Sequence, residues 1–155
     1  MAEKLVVIPG HSIGSFCIGM NREEIWKNTK KPITSFFKTP FSRYRTDDIS
    51  HLGIHVHYHG DTEICSEIEA WTKVDHNKIR IELDGFLING KRMSQIRDWI
   101  RENEFEFESD HYRFSIPEAG IGFYCQNFES EDSTVDGIHL FKPIIEQAAG
   151  GDATR

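Results

Sequence analysis

Two short stretches with the same two-sided pattern constrain this chain more than any other feature. They are Gly53-Ile54-His55-Val56-His57-Tyr58-His59 and Gly120-Ile121-Gly122-Phe123-Tyr124-Cys125-Gln126. Successive side chains of a strand point to opposite faces. Ile54, Val56 and Tyr58 therefore share one face, with His55, His57 and His59 on the other. In the second stretch Ile121, Phe123 and Cys125 take the apolar side, and Gly122, Tyr124 and Gln126 lie opposite. The strand that follows each repeats the agreement. Glu67-Ile68-Glu69-Ala70-Trp71 aligns with Gly137-Ile138-His139-Leu140-Phe141, so Ile68 and Ala70 match Ile138 and Leu140. The pattern predicts an internal duplication, with each strand's register pinned by its one buried face.

The rest of the chain is read around these pairs. Leu5-Val6-Val7-Ile8 predicts a first strand, stopped by Pro9-Gly10. Asn21-Arg22-Glu23-Glu24 predicts a capping box opening a helix through Ile25 and Trp26, which Pro32 ends near Thr29. Ile33 to Tyr44 reads as a loop with a strand fragment. In the second half Ile79, Ile81 and Leu83 alternate. A helix is predicted from about Lys91 to Glu102, with Met93, Ile96 and Ile100 on one face. Glu104-Phe105-Glu106-Phe107-Glu108 alternates as a strand, Phe128 to Thr134 reads as an acidic hairpin loop, and the tail after Ile145 is expected to fray. These elements predict an α+β fold with two pseudo-repeats, each a helix packed on an antiparallel β-meander. They form one domain over 1–155, with repeats at about 1–77 and 78–143.

Composition narrows the functional classes. With 155 residues, 38% of them hydrophobic, the chain can build a true core. It has no run near the ~20 apolar residues of a membrane span. Only four consecutive apolar residues precede Pro9, so no signal-peptide core is expected. Cys17, Cys65 and Cys125 are odd in number and irregularly spaced, which predicts no disulfide framework and a cytoplasmic location. The net charge of −7 argues against nucleic acid as the primary ligand. Residues 1–77 carry 9 basic and 10 acidic side chains, whereas residues 78–155 carry 9 and 15. A partner approaching the second half is therefore expected to be basic.

No catalytic motif emerges. Gly10-His11-Ser12-Ile13-Gly14 only loosely imitates a nucleophile elbow, and the predicted strand–turn–helix context is missing. Gly85 to Gly90 lacks the phosphate-loop pattern. His55, His57 and His59 stand ~6.6 Å apart in succession at a rise of ~3.3 Å per residue. Two of them could share a metal ion if His139, Glu67 or Glu69 completed the set. A metal- or small-ligand-binding enzyme centred on His55 and His57 is thus one reading. The other is a partner-facing sheet surface with no metal, cofactor or catalytic residue. Its contact residues are His55, His57, His59, Trp71, Glu104, Glu106, Glu108, Tyr124, His139 and Phe141, aromatic anchors beside acidic side chains. Glu129, Glu131 and Asp132 would extend its acidic rim.

The run Ile13-Gly14-x-Phe16-x-Ile18-Gly19-Met20-Asn21-Arg22-Glu23-Glu24-Ile25 looks like the opening of many small bacterial proteins, a glycine-bounded strand entering a capped helix. The repeated helix-then-meander plan over residues 13–141 resembles the tandem-repeat β-lactamase inhibitor proteins and the small outer-membrane assembly lipoproteins. The chain departs from both in its cysteines and its N-terminal segment. An acidic chain of this size also looks like the immunity proteins that neutralise bacterial toxins. These resemblances imply a sheet face that binds another protein, with no membrane partner.

Overall fold

A computed structural model describes residues 2–29, 31–75, 77–110, 113–126 and 133–144. Most of the expected acidic hairpin loop, the fraying tail and the rim residues Glu129, Glu131 and Asp132 lie outside the described residues. In the first half the strands are β1 (Glu3–Ile8), β2 (Ser12–Ile13), β3 (Phe16–Cys17), β4 (Thr34–Phe36), β5 (Thr46–Ile49), β6 (Ile54–His59) and β7 (Ile64–Trp71). The second half supplies β8 (Ile79–Leu83), β9 (Phe86–Leu87), β10 (Glu108–Ser109), β11 (Arg113–Ile116), β12 (Ile121–Tyr124) and β13 (Gly137–Phe141). Helix α1 spans Arg22–Lys27 and helix α2 spans Met93–Glu102.

The chain is mostly β, and the expected α+β fold of two helix-on-meander repeats is corrected. One sheet has five strands in the order β3-β2-β1-β8-β9; the other has eight, in the order β10-β11-β12-β13-β7-β6-β5-β4. Two pairings across the halves produce this result. β1 runs parallel to β8, and β7 pairs antiparallel with β13. The meanders therefore fuse edge to edge into one eight-stranded sheet, so the halves do not form two separate helix-on-meander units. The helices are also too short to form layers. α1 is 6 residues long and contributes one buried side chain, Ile25.

Alternation explains which side of the large sheet faces the core. Ile54, Val56, Ile68, Ala70, Ile121, Phe123, Ile138 and Leu140 are all fully buried on its inner face. Leu5 and Val7 from β1, Ile79, Ile81 and Leu83 from β8, and Met93, Ile96, Trp99 and Ile100 from α2 join the same cluster. The stretch 104–108 departs from the strand expectation, since only Glu108–Ser109 pair. Phe105 packs on Trp99 at 5.6 Å and Phe107 on Phe114 at 5.6 Å, so the two rings plug the core between exposed glutamates.

Both helix starts are held by hairpin ends. Asn21 bridges Ile64, and its side chain accepts from the Glu24 backbone amide in the expected capping box. Arg92 bridges Thr134 before α2, where the Met93 amide donates to the Ser133 carbonyl. Among the described residues no helix is long and apolar enough to cross a membrane.

Candidate protein-binding face

The register of the eight-stranded sheet builds its outer face line by line, because directly paired residues project to the same side. One line crosses seven strands: Asp48, His55, Glu69, His139, Gly122, Ser115 and Glu108 are successive partners. A neighbouring line is Thr46, His57, Glu67 and Phe141. On the other side run Trp71, Gly137, Tyr124 and Arg113. Sequence periodicity thus brings His55, His57, Trp71, Glu108, Tyr124, His139 and Phe141 to one surface.

Two expected members, Glu104 and Glu106, fall elsewhere, and a third, His59, stands at the far end of the row. His59 ends β6, exposed and edge-on to Tyr44 at 5.3 Å. Glu104 sits in the turn after α2 with φ 57°, and Glu106 lies in the unpaired segment before β10. Both are exposed, but neither belongs to the sheet. A register shift explains where the histidine row parts from the network. Opposite His57 and Tyr58, strand β7 carries one extra residue, Ser66, whose hydroxyl donates to the His57 carbonyl.

Imidazoles and carboxylates pair diagonally across the centre. His57 Nε2 hydrogen-bonds Glu69 Oε1, and His139 Nε2 lies 3.0 Å from Glu67 Oε2. His55 approaches Asp48 at 3.4 Å. The His57 hydrogen bond, aided by the charges of His57 and Lys38, pulls the Glu69 carboxyl down to about 2 despite its burial. The His139 hydrogen bond likewise holds Glu67 below the usual carboxylate range, against desolvation and the like charge of Glu69. Both glutamates are therefore anions near neutral pH. Burial, with the nearby Glu69 and Asp136 charges, pushes the Tyr124 phenol upward, so it stays a neutral hydrogen-bond donor.

The aromatic part is ordered by a missing side chain. Tyr124 lies over Gly137, where any Cβ would collide with its ring, and meets Trp71 edge-on at 5.9 Å. Beside it a groove of about 440 Å³ is lined by Lys38, Glu67, Glu69, Arg113, Tyr124 and His139, with Ser115 and Gly122 also contributing to its wall. Lys38 reaches in from the loop after β4, its Nζ 3.4 Å from Glu69 Oε1. Arg113 is paired to Asp110 at 3.1 Å. Sequence reasoning weighed Glu67 and Glu69 only as metal ligands, although their spacing from Trp71 already placed all three on one face. Nothing local in the sequence marks Lys38.

Thr46, His57 and Glu69 form a hydroxyl–imidazole–carboxylate line, with Thr46 Oγ1 3.1 Å from His57 Nδ1. Thr46 is only 2% exposed, so its hydroxyl is shielded from solvent. Among the described residues, no three His, Cys, Asp or Glu side chains form a group that could hold a metal ion. Cys65 and Cys125 are buried, and burial pushes the Cys65 thiol up to about 12, far from a reactive thiolate.

A second polar cluster lies on the opposite side of the sheet and is structural. Asp47 is fully buried on β5 and accepts hydrogen bonds from Arg22, Ser35, Trp26 and Tyr58. Burial would raise its carboxyl, but these four donors together hold it below the usual range. The cluster clamps α1 and β4 onto the sheet, and every partner is used internally.

Comparison of the chain with protein-family models, with curated proteins and with solved structures finds no match.

Proposed function

We propose that this chain is a non-catalytic, cytoplasmic protein-binding protein. It docks a basic partner on the outer face of its eight-stranded sheet, as an immunity protein or inhibitor neutralising a basic toxin or enzyme would. The observation that carries this reading is the open groove in which two ionised glutamates, Glu67 and Glu69, stand beside the Trp71–Tyr124 aromatic pair. Ionised carboxylates attract and orient a cationic surface during encounter, whereas aromatic side chains supply contact area once the complex has formed. The acidic second half adds long-range attraction of the same sign.

Capture of the partner from source cells, followed by binding kinetics, tests the reading. Glu108→Lys is exposed at the sheet edge and should slow association and weaken its salt dependence, with folding intact. Tyr124→Ala should mainly speed dissociation, because an anchor acts after encounter. A captured basic partner indifferent to both changes would move the interface away from this face. Failure to recover any basic protein partner would count against the inhibitor role itself.

A further inference from the structure

We infer that the groove over Gly122 is a guanidinium pocket that receives an arginine side chain of a protein partner and exchanges it for the chain's own Lys38. This rests on the basic-partner reading above and specifies how that partner is recognised.

Gly122 makes the floor. It lies between Ser115 and His139 in the cross-sheet line, where any larger residue would project a side chain into the groove. Its backbone does not require glycine. A Cβ there meets nothing closer than the Phe114 carbonyl at 3.4 Å, and φ is outside the left-handed region. Space, and not backbone strain, is what this glycine provides. The groove's volume of about 440 Å³ falls within the ~300–1,000 Å³ range of small-ligand sites.

The walls select the occupant's chemistry. Glu67 and Glu69 are two residues apart on β7, each with one carboxylate oxygen engaged by a histidine. Lys38 shares Glu69 Oε1 with His57, which leaves Glu69 Oε2 and Glu67 Oε1 as further acceptors for a cation that can donate in more than one direction. A planar guanidinium offers five such donors and can also lie against the Tyr124 ring, whereas an ammonium is a compact point charge. Lys38 shows that the site accepts a cation. Its side chain is 61% exposed and contacts Glu69 through a single 3.4 Å approach, so it can leave without disturbing the core. Arg113 at the rim is offset by Asp110 and does not cancel the two glutamates.

The test titrates acetyl-Arg-Arg-Arg-amide and, separately, acetyl-Lys-Lys-Lys-amide into the full chain by calorimetry. The arginine peptide should bind at least about fivefold tighter, given the difference between a fork and a point charge. Gly122→Leu should abolish that preference while thermal melting confirms a folded protein. Lys38→Ala, at an exposed position, should tighten arginine binding severalfold by removing the competitor. Equal affinity for the two peptides, or arginine binding unchanged in Gly122→Leu, overturns the pocket. So does a Lys38→Ala variant that binds the arginine peptide no better than the native chain. The docking face is judged separately. If the captured partner binds Gly122→Leu normally but dissociates faster from Tyr124→Ala, the pocket falls and the face stands; if neither variant alters its binding, both fall.

Discussion

The guanidinium of Arg22 meets the carboxylate of Asp47 through two parallel contacts, Nε to Oδ2 and Nη2 to Oδ1, each 3.1 Å long. The carboxylate is wholly buried and the arginine side chain is 13% exposed. Removing one partner strands a charge in the interior, and such losses typically cost ~3–5 kcal/mol. Asp47→Ala should therefore destabilise by that order in urea unfolding. The double replacement Arg22→Met/Asp47→Leu should cost clearly less than the two single changes added together, because no charge is left unpaired.

Phe123 is fully buried on β12, paired with Phe114 on one side and Ile138 on the other, with Trp99 edge-on at 5.9 Å. Phe123→Ala should cost ~3–5 kcal/mol through lost burial and the cavity left behind. Chemical denaturation with an unchanged slope checks this.

Two glycines two residues apart, Gly120 in the turn before β12 and Gly122 within it, should respond differently. Gly120 has φ 70°, and a Cβ there would overlap the Phe141 carbonyl and the Gly10 backbone. Gly120→Ala should destabilise by at least ~1–3 kcal/mol. Gly122 carries neither constraint, and Gly122→Ala should shift the melting temperature little.

Acid should weaken the sheet in a defined window. Folding depresses the Glu69 carboxyl from an ordinary 4.5 to about 2, so the folded state favours its anion. That stabilisation is present above about 4.5 and is lost as pH falls toward 2. Glu69→Gln should flatten this part of the stability profile, measured as urea midpoints between pH 6 and about 2.5, a range covering most of the shift. An equally steep decline in the variant would mean that other carboxylates, Asp47 among them, carry the acid limb.

Much of the outer face was legible because strand periodicity is local. His55, His57, Trp71, Tyr124, His139 and Phe141 reach one surface by alternation alone, and Asn21 with Glu24 marked the first helix start. The fold class was not legible, since it depends on which strands pair across the halves. Nothing in Leu5 to Ile8 or in Gly137 to Phe141 names β8 or β7 as its neighbour, yet those two pairings create the sheets. The 104–108 stretch misled for a related reason. Alternating Phe and Glu fits a strand, but Phe105 and Phe107 bury their rings on Trp99 and Phe114 with no partner strand beside them. Asp47 carried no signal at all, because its four donors converge from α1, β4 and β6.

The three tryptophans report on three separate regions and offer the most direct test of the proposed face. Trp71 lies on the outer face against Tyr124, Trp26 donates to Asp47 beneath α1, and Trp99 donates to Asp84 from α2. Their indole N–H signals can be followed by NMR as the captured basic partner is added. Docking on the outer face should move or broaden the Trp71 signal and leave those of Trp26 and Trp99 in place. A complex that shifts Trp26 or Trp99 while Trp71 stays unchanged would contradict the proposed binding face.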